Sequence, residues 1–400
     1  MKRKVLSAIL ATAMVASMVV GCGGGSSTTT APAEEAAEEP AEEAAEEPAE
    51  EAAEAEDAEA PAPVAADSEG GKIGVAMPTQ SSERWIKDGQ NMKEQLEALG
   101  YEVDLQYAED DVQMQVSQIE NMIASGAQCL VIASIDSSAL VNVEAQAKEK
   151  NIPIIAYDRL LMDTDAVSYY ASFDNKGVGV AIADYIVKAK DLEAAKEAGE
   201  SYTIEFFMGS PDDNNAVLLH EGVMEVLQPY LDAGTLVCKT GRTSFKDTCI
   251  LRWSQETAQQ WCENYLTGYY ADEDLDIACT AFDGFAYGVK AALQGAGYTA
   301  ENWPLVTGQD AELMACKNIL DGTQTATIFK DTGLLAGKCV TMVEAVMKGT
   351  EPEINDTETY DNGKIVVPSY LCTPVAVDKD TLKEVVVDGA NYYKAEDLGL

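Results

Sequence analysis

The chain has 400 residues, of which 69 are acidic and 27 are basic, so its formal net charge at pH 7 is −42. Such an excess of negative charge argues against nucleic acids and anionic membrane surfaces as partners. The sequence contains one histidine, His220, so a histidine-centred catalytic set has no obvious support.

The first 22 residues have the features of a bacterial secretion signal. A basic start at 2–4 precedes an apolar run over 5–20, which is too short for a comfortable membrane span. Small residues then precede Cys22, a pattern similar to a lipobox, in which the cysteine is lipidated and becomes the mature N-terminus. An ordinary signal peptide with a chance cysteine is the alternative. A lipid on Cys22 would anchor the protein to the outer face of the cytoplasmic membrane without a spanning helix.

Residues 23–70 predict an acidic, disordered tether. The octet AEEAAEEP occurs twice in succession, at 33–40 and 41–48, and nothing in this segment can bury a core. Its glutamates repel one another, which favours an extended and solvated spacer. A specific acidic docking tail is the lesser alternative.

From residue 72 onward, short apolar segments alternate with amphipathic ones. The strand-like KIGVAMP comes first. A helical segment follows, and its predicted apolar face consists of Trp85, Gly89, Met92, Leu96 and Leu99. The alternation restarts after the strand-like SYYASFD and continues to TATIFKD. Apolar strands that alternate with amphipathic helices predict parallel sheets covered on both faces. Two such runs predict an α/β protein with two doubly wound parallel-sheet lobes.

Eight cysteines remain after Cys22, and an even number in an exported protein permits disulfides. They are Cys129, Cys238, Cys249, Cys262, Cys279, Cys316, Cys339 and Cys372. Their pairing cannot be read from the sequence. No C-x-x-C pair occurs, so a zinc or thioredoxin-like site has little support. Cys129 and Cys279 lie in apolar strand-like runs, which predicts that they are core residues.

Polar and aromatic side chains follow the predicted strands, at the edge where open α/β sheets bind ligands. The candidates are Arg84, Trp85, Asp158, Arg159, Asn214, Asn215, Arg252, Trp253, Asp283, Asp310 and Lys330. Carboxylates accept hydrogen bonds, cationic side chains donate them, and asparagine does both. A monosaccharide needs this set, because each hydroxyl is both donor and acceptor and its C–H faces stack on aromatic rings. The sequence therefore predicts a sugar site.

Each candidate also has a purely structural alternative. Asp158 and Arg159 could form a pair that caps a helix or braces a loop, and spacing alone does not decide between this role and a polar grip. Trp85 lies on the apolar face of its helix, which on its own favours a core position. Loop bracing or helix capping is the alternative for Trp253, Asn214, Asn215 and Asp283.

The motifs RWIKDG, QIENMIASG, YDRL, SFDN, GSPDDNNA, LRW, GQDAE, TIFKDT and VVPSYL occur in this order. Together they resemble the periplasmic sugar-binding receptors of ABC importers, which have the type I fold. The motifs are similar in particular to those of multiple-sugar receptors of the chromosomal-virulence type and of xylose-binding proteins. The similarity covers essentially all of 72–400.

The resemblance implies two α/β lobes joined by three crossings, with a ligand held between them and closure by hinge motion. The crossings are expected near 174–175, 330–331 and 366–368. The lobes are then 71–174 with 331–365, and 175–330 with 366–400. A monomeric receptor of this family would deliver a monosaccharide of the xylose, glucose, galactose or arabinose class to an ABC permease. A receptor whose main role is signalling or chemotaxis is an alternative that the sequence does not separate from transport.

The resemblance also implies roles for individual residues. The family's sugar contacts fall on Arg84, Trp85, Asp158, Arg159, Asn214 or Asn215, Trp253, Asp283, Asp310 and Lys330, with Arg252 a lesser candidate. The tryptophans would stack on the sugar ring, the carboxylates would accept from its hydroxyls, and the cationic side chains would donate to hydroxyls or the ring oxygen.

Some features of the sequence differ from the family or suggest other classes. Phe282 stands where relatives carry a smaller or more polar residue, which leaves the exact sugar open. The aspartates in 272–276 begin like a calcium loop but lack its glycine and distal glutamate, which indicates a solvated turn. The motif GLLAGKC is one residue short of a phosphate-binding P-loop. We expect no metal or cofactor, and a sugar-active enzyme with two carboxylates is the alternative of another class.

Overall fold

The computed structural model describes residues 71–400. The predicted signal peptide, the lipidation site at Cys22 and the tether lie outside the described residues. Within 71–400, no helix has both the length and the apolar composition of a membrane span.

Strands and helices alternate through the described chain. The strands are β1 (Lys72–Met77), β2 (Glu102–Tyr107), β3 (Cys129–Ile132), β4 (Ile154–Tyr157), β5 (Val167–Phe173), β6 (Tyr202–Phe207), β7 (Leu236–Val237), β8 (Ile277–Thr280), β9 (Leu305–Val306), β10 (Ala326–Phe329), β11 (Ser369–Cys372) and β12 (Val375–Asp378).

The helices occupy most of the connections between these strands. They are α1 (Glu83–Ala98), α2 (Val112–Ala124), α3 (Val141–Glu149), α4 (Asn175–Ala189), α5 (Leu192–Ala198), α6 (Asn214–Ala233), α7 (Phe245–Thr248), α8 (Gln255–Tyr269), α9 (Asp283–Gly295), α10 (Leu313–Asp321), α11 (Thr332–Met347) and α12 (Ala395–Leu398). A 3₁₀ turn covers Leu251–Trp253, and a π-helical turn covers Lys383–Gly389.

The first lobe is built on a six-stranded sheet with the order β11-β5-β4-β3-β1-β2, in which every neighbouring pair is parallel. Successive side chains of a strand point to opposite faces. Ile73, Val75 and Met77 of β1 therefore pack with α1 and α11 on one face, whereas Ala76 packs with α2 and α3 on the other. Apolar strands covered on both faces are what the alternating pattern predicts.

The second lobe contains a four-stranded parallel sheet with the order β7-β6-β8-β9, and β10 pairs with β12 in antiparallel fashion beside it. Phe206 and Phe207 are neighbours on β6, and they are buried in separate apolar clusters on the two faces of this sheet. A third cluster packs β10 and β12 against the C-terminal segment. The second lobe is therefore also covered on both sides.

Two of its helices, α4 and α6, pack closely against each other because glycines face each other at their contact. A Cβ atom on Gly179 would meet the backbone carbonyl of Leu219, and one on Gly222 would meet the carbonyl of Lys176. This close packing holds α6 in place, so that the start of α6 lies at the site.

The chain passes from the first sheet into the second lobe between β5 and α4, and it returns between β10 and α11. The third crossing differs from the expected position near 366–368. Strand β11 still pairs with β5 of the first sheet, and only β12 pairs with β10. The chain thus crosses between Cys372 and Val375, and 366–372 lie with the first lobe rather than with the second. A four-residue strand of this kind is specified by its distant partner and not by a local pattern.

All eight cysteines of the described chain are free thiols. Cys129 and Cys279 are fully buried in the cores, which confirms the positions predicted for them. Six of the eight are buried, and Cys238 and Cys249 are partly exposed.

Candidate functional site

Four charged side chains meet between the lobes, at the carboxyl ends of the strands. Nη2 of Arg84, at the start of α1, lies 2.7 Å from Oδ2 of Asp158, which directly follows β4. Nη1 of Arg84 lies 3.4 Å from Oδ1 of Asp310 in the second lobe. Lys330 follows β10, and its Nζ lies 3.6 Å from Oδ1 of Asp158 and 3.4 Å from Oδ1 of Asp310. We call these four residues the charge cluster.

The charge cluster is buried, with each side chain at most 6% exposed. Burial by itself raises the pKa of Asp158, but the charges of Arg84 and Lys330 outweigh it and bring the pKa down to about 2. Burial also lowers the pKa of Arg84, yet Asp158 and Asp310 raise it well above its usual value. Asp158 and Arg84 therefore both keep their charge at neutral pH, because each has opposite charges beside it.

Within the described residues, two atoms of the cluster are buried without a hydrogen-bond partner: Oδ1 of Asp158 and Nε of Arg84. Buried polar atoms are normally hydrogen-bonded, and leaving one unpaired is costly. The cluster can therefore still offer an acceptor and a donor to a polar molecule.

The backbone holds Asp158 in a left-handed conformation with φ of 60°. Its carbonyl oxygen accepts from Oη of Tyr170 at 2.6 Å, from Oγ of Ser172 at 2.7 Å and from Nδ2 of Asn215 at 2.7 Å. Left-handed backbone is unusual for a residue other than glycine, although aspartate tolerates it better than most. Three hydrogen bonds to its carbonyl oxygen hold Asp158 with its carboxylate directed at the cleft. One of the three donors, Asn215, belongs to the second lobe.

Trp85 takes the core position that its place on the apolar helix face favoured, and its ring also faces two cations. Its side chain is 5% exposed and belongs to the core of the first lobe. The guanidinium carbons of Arg84 and Arg159 lie 4.5 Å and 5.2 Å from its ring centroid. Cations are attracted to an indole face at this range. Trp85 is thus a core residue that also positions two cations of the site.

A second contact between the lobes centres on Asp213. Its Oδ2 lies 3.1 Å from Nε of Arg159 in the first lobe and accepts from Nε1 of Trp253 at 3.2 Å. Its Oδ1 accepts from the backbone N of Asn215, so Asp213 caps α6 in place of either asparagine. Asp158 and Arg159 therefore do not pair with each other. Asp158 pairs with Arg84 and Lys330, and Arg159 pairs with Asp213.

The ring of Trp253 packs in an aromatic group of the second lobe. It stacks on Phe285 at a centroid distance of 5.8 Å and meets Phe282 edge-on at 5.9 Å. A Cβ atom on Gly209 would collide with the indole. Trp253 is therefore fixed by its neighbours, with its nitrogen directed at Asp213.

Two predicted residues lie at the mouth of the cleft and not in the charge cluster. Arg252 forms an ion pair with Asp212 at 2.5 Å and donates to the carbonyl oxygen of Ile135 in the first lobe at 3.1 Å. The backbone N of Asn214 lies 3.4 Å from Oγ of Ser137. A cavity of about 350 Å³ opens here, lined in part by Ser137, Asp212 and Asn214. A second cavity, of about 400 Å³, lies beside α11 and contains none of the predicted site residues.

Asp283 is fully buried, but its carboxylate bonds only to donors of its own lobe. Oδ1 accepts from Nε2 of Gln324 and Oγ1 of Thr327, both at 2.8 Å, and Oδ2 accepts from the backbone N of Glu312 at 2.9 Å. Burial, and then the negative charge of Glu312, raise its pKa well above the usual range. Asp283 therefore braces the loop that follows Asp310 and is not brought together with the charge cluster.

Two buried carboxylates belong to the site although they were not among the predicted contacts. One is Asp213, which directly precedes the two asparagines of GSPDDNNA. The other is Asp88, one helical turn after Arg84, with Oδ2 3.5 Å from Nε of Arg84. Burial raises the pKa of Asp88 and Arg84 lowers it again, which leaves it at about 6. The i,i+4 spacing on one helix face was the available signal for Asp88.

Other motifs of the sequence have structural places. GLLAGKC lies inside helix α11 and forms no loop that could surround a phosphate. Asp276 accepts from the backbone N and the hydroxyl of Thr203. Within 71–400, no group of three or more histidine, cysteine or acidic side chains is arranged to hold a metal ion.

Comparison with known proteins identifies the family that has this architecture. A family model described as a periplasmic binding protein domain matches residues 73–351. The chain belongs to the periplasmic binding protein family. This periplasmic binding protein is 48% identical to the multiple sugar-binding periplasmic receptor ChvE of Rhizobium radiobacter, over 84% of this chain and 93% of that receptor. It is 35% identical to the D-xylose-binding periplasmic protein of Escherichia coli K12, over 83% of this chain and 94% of that protein.

Solved structures agree with these relatives. An ABC transporter solute binding protein from Clostridium phytofermentans, with bound β-D-glucose, is 51% identical with a TM-score of 0.78, over 82% of this chain and 99% of that chain. A carbohydrate transporter solute binding protein from Chloroflexus aurantiacus, in complex with D-glucose, is 29% identical with a TM-score of 0.74. The resemblance read from the motifs and the type I α/β fold are both confirmed.

Proposed function

We propose that this periplasmic binding protein is an extracytoplasmic receptor that captures an uncharged pyranose monosaccharide of the xylose, glucose, galactose or arabinose class between its lobes. The observation that carries the proposal is the charge cluster, in which donors and acceptors from both lobes converge on one buried place. A sugar hydroxyl can accept from a cation and donate to a carboxylate at the same time. A site that contains both cationic and anionic side chains therefore suits a sugar hydroxyl.

The balance of charge favours a neutral ligand over an anionic one. Three cations face three carboxylates between the lobes: Arg84, Arg159 and Lys330 against Asp158, Asp213 and Asp310. Asp88 adds a further buried carboxylate behind Arg84. A sugar acid would bring another negative charge into a buried place without a spare cation, which is costly. We therefore expect the receptor to prefer neutral sugars to sugar acids.

The geometry supports a contact set slightly smaller than the one predicted. We propose that the sugar is bound by Arg84, Asp158, Arg159, Asn215, Asp310 and Lys330, and that Trp85 and Trp253 provide the stacking surfaces. Asn214 would line the entrance. Asp283 would act indirectly, because its oxygens already hold the 312–327 region of the second lobe.

The relatives support the ligand class. One receptor of 48% identity is described as binding multiple sugars, and the solved structure of 51% identity contains β-D-glucose. These relatives are receptors, which supports binding without turnover. A bound sugar recovered unchanged after long incubation would agree with a receptor and disagree with an enzyme.

Titration calorimetry tests the proposal. Residues 71–400 contain the five apolar clusters, and the solved relative of 51% identity is matched over 99% of its length, so this part of the chain is suited to fold by itself. The panel is D-glucose, D-galactose, D-xylose, L-arabinose and D-ribose, with D-glucuronate as the charged control. We expect one-to-one binding of at least one pyranose and weaker binding of the acid. A folded protein that gives no heat with any of the neutral sugars would contradict the proposal.

We further propose that Cys22 carries a lipid and that the receptor delivers its sugar to an ABC permease at the outer face of the cytoplasmic membrane. The lipobox-like sequence supports the first part, and membership of the periplasmic binding protein family supports the second. Radioactive palmitate should label the wild-type chain in a bacterial host but not the Cys22→Ala variant. Deletion of the gene should abolish uptake of the bound sugar, and uptake that persists would point to a signalling role.

A further inference from the structure

The lobes also meet outside the charge cluster, along a set of contacts that we call the interlobe seam. Ser137 of the first lobe donates its backbone N–H to the carbonyl oxygen of Asp212 at 2.9 Å. Arg252 of the second lobe donates from Nη1 to the carbonyl oxygen of Ile135 at 3.1 Å. The same Arg252 side chain pairs with the carboxylate of Asp212 at 2.5 Å. Arg252 therefore contacts groups of both lobes at the seam.

An unusual backbone places Arg252 in this position. Arg252 and Trp253 follow each other with φ of 56° and 53°, a conformation that side chains other than glycine rarely adopt. The backbone N–H of Arg252 donates to Oγ of Ser210 at 2.7 Å, which holds the turn. The turn directs Trp253 inward to Asp213 and Arg252 outward to Asp212. Strained backbone of this kind persists where the surrounding contacts require it.

Two observations separate Arg252 from the charge cluster. Its side chain is 31% exposed, whereas the cluster side chains are at most 6% exposed. Its partners, Asp212 and the Ile135 carbonyl, are seam groups and include no member of the cluster. Arg159 also reaches the Ile135 carbonyl, at 3.3 Å, so this oxygen accepts from both lobes at once.

We propose that Arg252 is a closure latch and not a sugar contact: it fastens the two lobes after the ligand has entered and so slows ligand release. The inference rests on the proposed function, because it assumes a ligand that enters the open form. Contacts that exist only when the lobes are together act on dissociation, whereas association depends on entry into the open cleft. A latch that touches no sugar must also change the affinity for every sugar by the same factor.

Stopped-flow fluorescence measures both rate constants, with D-glucose and D-xylose as probes. For Arg252→Ala we expect the dissociation rate constant to rise about 5- to 30-fold, the range for losing one partly exposed charged hydrogen bond. The association rate constant should change less than about twofold, and the loss should be equal for the two sugars. Asp212→Asn should raise the dissociation rate constant in the same direction but by less. Lys246→Ala, an exposed cation of the same lobe without an interlobe contact, is the matched control.

A different result for the two sugars would overturn the latch, because it would mean that Arg252 touches the ligand. An unchanged dissociation rate constant would overturn it as well. Should the wild-type protein bind none of the sugars, the proposed function fails, and hydrogen exchange then decides on the latch alone. The amide of Ser137 donates across the seam, so its exchange should be faster in Arg252→Ala than in the wild type, and equal exchange would refute the latch.

Discussion

Asp158 and Asp283 look alike in the sequence, and the structure gives them opposite environments. Both follow a parallel strand, both are buried, and both were predicted to accept hydrogen bonds from a sugar. Asp158 faces Arg84 and Lys330, which keep it ionised with a pKa of about 2. Asp283 faces neutral donors and the carboxylate of Glu312, and its pKa is raised by burial and by that charge.

The two environments differ because the neighbouring segments place different side chains beside each aspartate. The end of β4 faces α1 and the second crossing, each of which supplies a cation from outside its own sheet. The end of β8 faces the 312–327 region of the same lobe, which supplies amide and hydroxyl donors. We therefore propose that a strand-end carboxylate binds the ligand when its partners come from both sides of the cleft, whereas one whose partners all come from its own lobe braces that lobe.

The largest effect is expected for Asp158→Ala. Removing this carboxylate deprives Arg84 and Lys330 of a buried counter-charge, and breaking a buried ion pair by removing one partner typically costs about 3–5 kcal/mol. Sugar affinity should fall about a hundredfold or more, in the range of losing a hydrogen bond to a charged group. Urea unfolding and calorimetry measure the two effects. Asp165→Ala, in the same lobe with its side chain 64% exposed, is the control and should change neither.

The two aspartates should also respond to pH in opposite directions. The folded pKa of Asp158, about 2, lies below its ordinary value of 3.8, so its contribution is present above that value and is lost as the pH falls through 2. The pKa of Asp283 is raised, so its contribution is present at low pH and is lost as the pH rises through the folded pKa.

Urea unfolding of the wild type, Asp158→Asn and Asp283→Asn over a series of pH values checks this contrast. As the pH falls below about 4, the advantage of the wild type over Asp158→Asn should shrink, on the order of 2 kcal/mol in full. The advantage of the wild type over Asp283→Asn should instead grow at higher pH, as the pH falls through the raised folded pKa of Asp283 toward 3.8, and it should stay level below that value. If the free energy of unfolding, relative to the wild type, changed with pH in the same way for both variants, the opposite environments described for Asp158 and Asp283 would be contradicted.

A smaller effect should distinguish the adjacent asparagines. Asn215 donates to the carbonyl of Asp158 at 2.7 Å and is 7% exposed, whereas Asn214 lies at the entrance. Asn215→Ala removes a buried hydrogen bond that aims the Asp158 carboxylate, so we expect affinity to fall about tenfold. Asn214→Ala should lower it less than about threefold. Calorimetry with the preferred sugar measures both, and equal losses would argue against a larger role for Asn215 than for Asn214.

The smallest effect on binding is expected for Asp283→Asn. The new amide nitrogen would face the backbone N–H of Glu312 and lose one of three hydrogen bonds, which should lower the free energy of unfolding by about 1–3 kcal/mol. Sugar affinity should stay within about threefold of the wild type. A loss of affinity as large as that of Asp158→Asn would show that Asp283 contacts the ligand after all.

Most of the fold could be predicted because its signal is local. The apolar strands and the amphipathic helices of the first lobe follow the periodicity closely, as β1 and α1 show. A proline normally ends or kinks a helix, but α6 runs through Pro229 to Ala233, because Leu227 and Tyr230 are buried in the core on either side of the proline. Strand β11 was missed, since pairing with the distant β5 determines it.

The site was predictable in kind but not in its partners. Strand ends indicated a polar cleft, and the structure does bring Arg84, Asp158, Asp310 and Lys330 together. Whether a carboxylate meets a cation or a hydroxyl depends on loops far away in the sequence, which is why Asp283 was grouped with Asp158. The left-handed backbone at Arg252 has no sequence signal at all, because arginine carries no preference for it.

The eight free thiols have a consequence for how this protein is made. Burial raises the pKa of Cys129 and of Cys279 to about 12, so both are protonated and unreactive at physiological pH. In the described part of the chain, apolar packing and not covalent cross-links holds the lobes in shape. Its maturation should therefore require neither an oxidant nor a disulfide isomerase, and it should reach the same final structure in reducing and in oxidising surroundings.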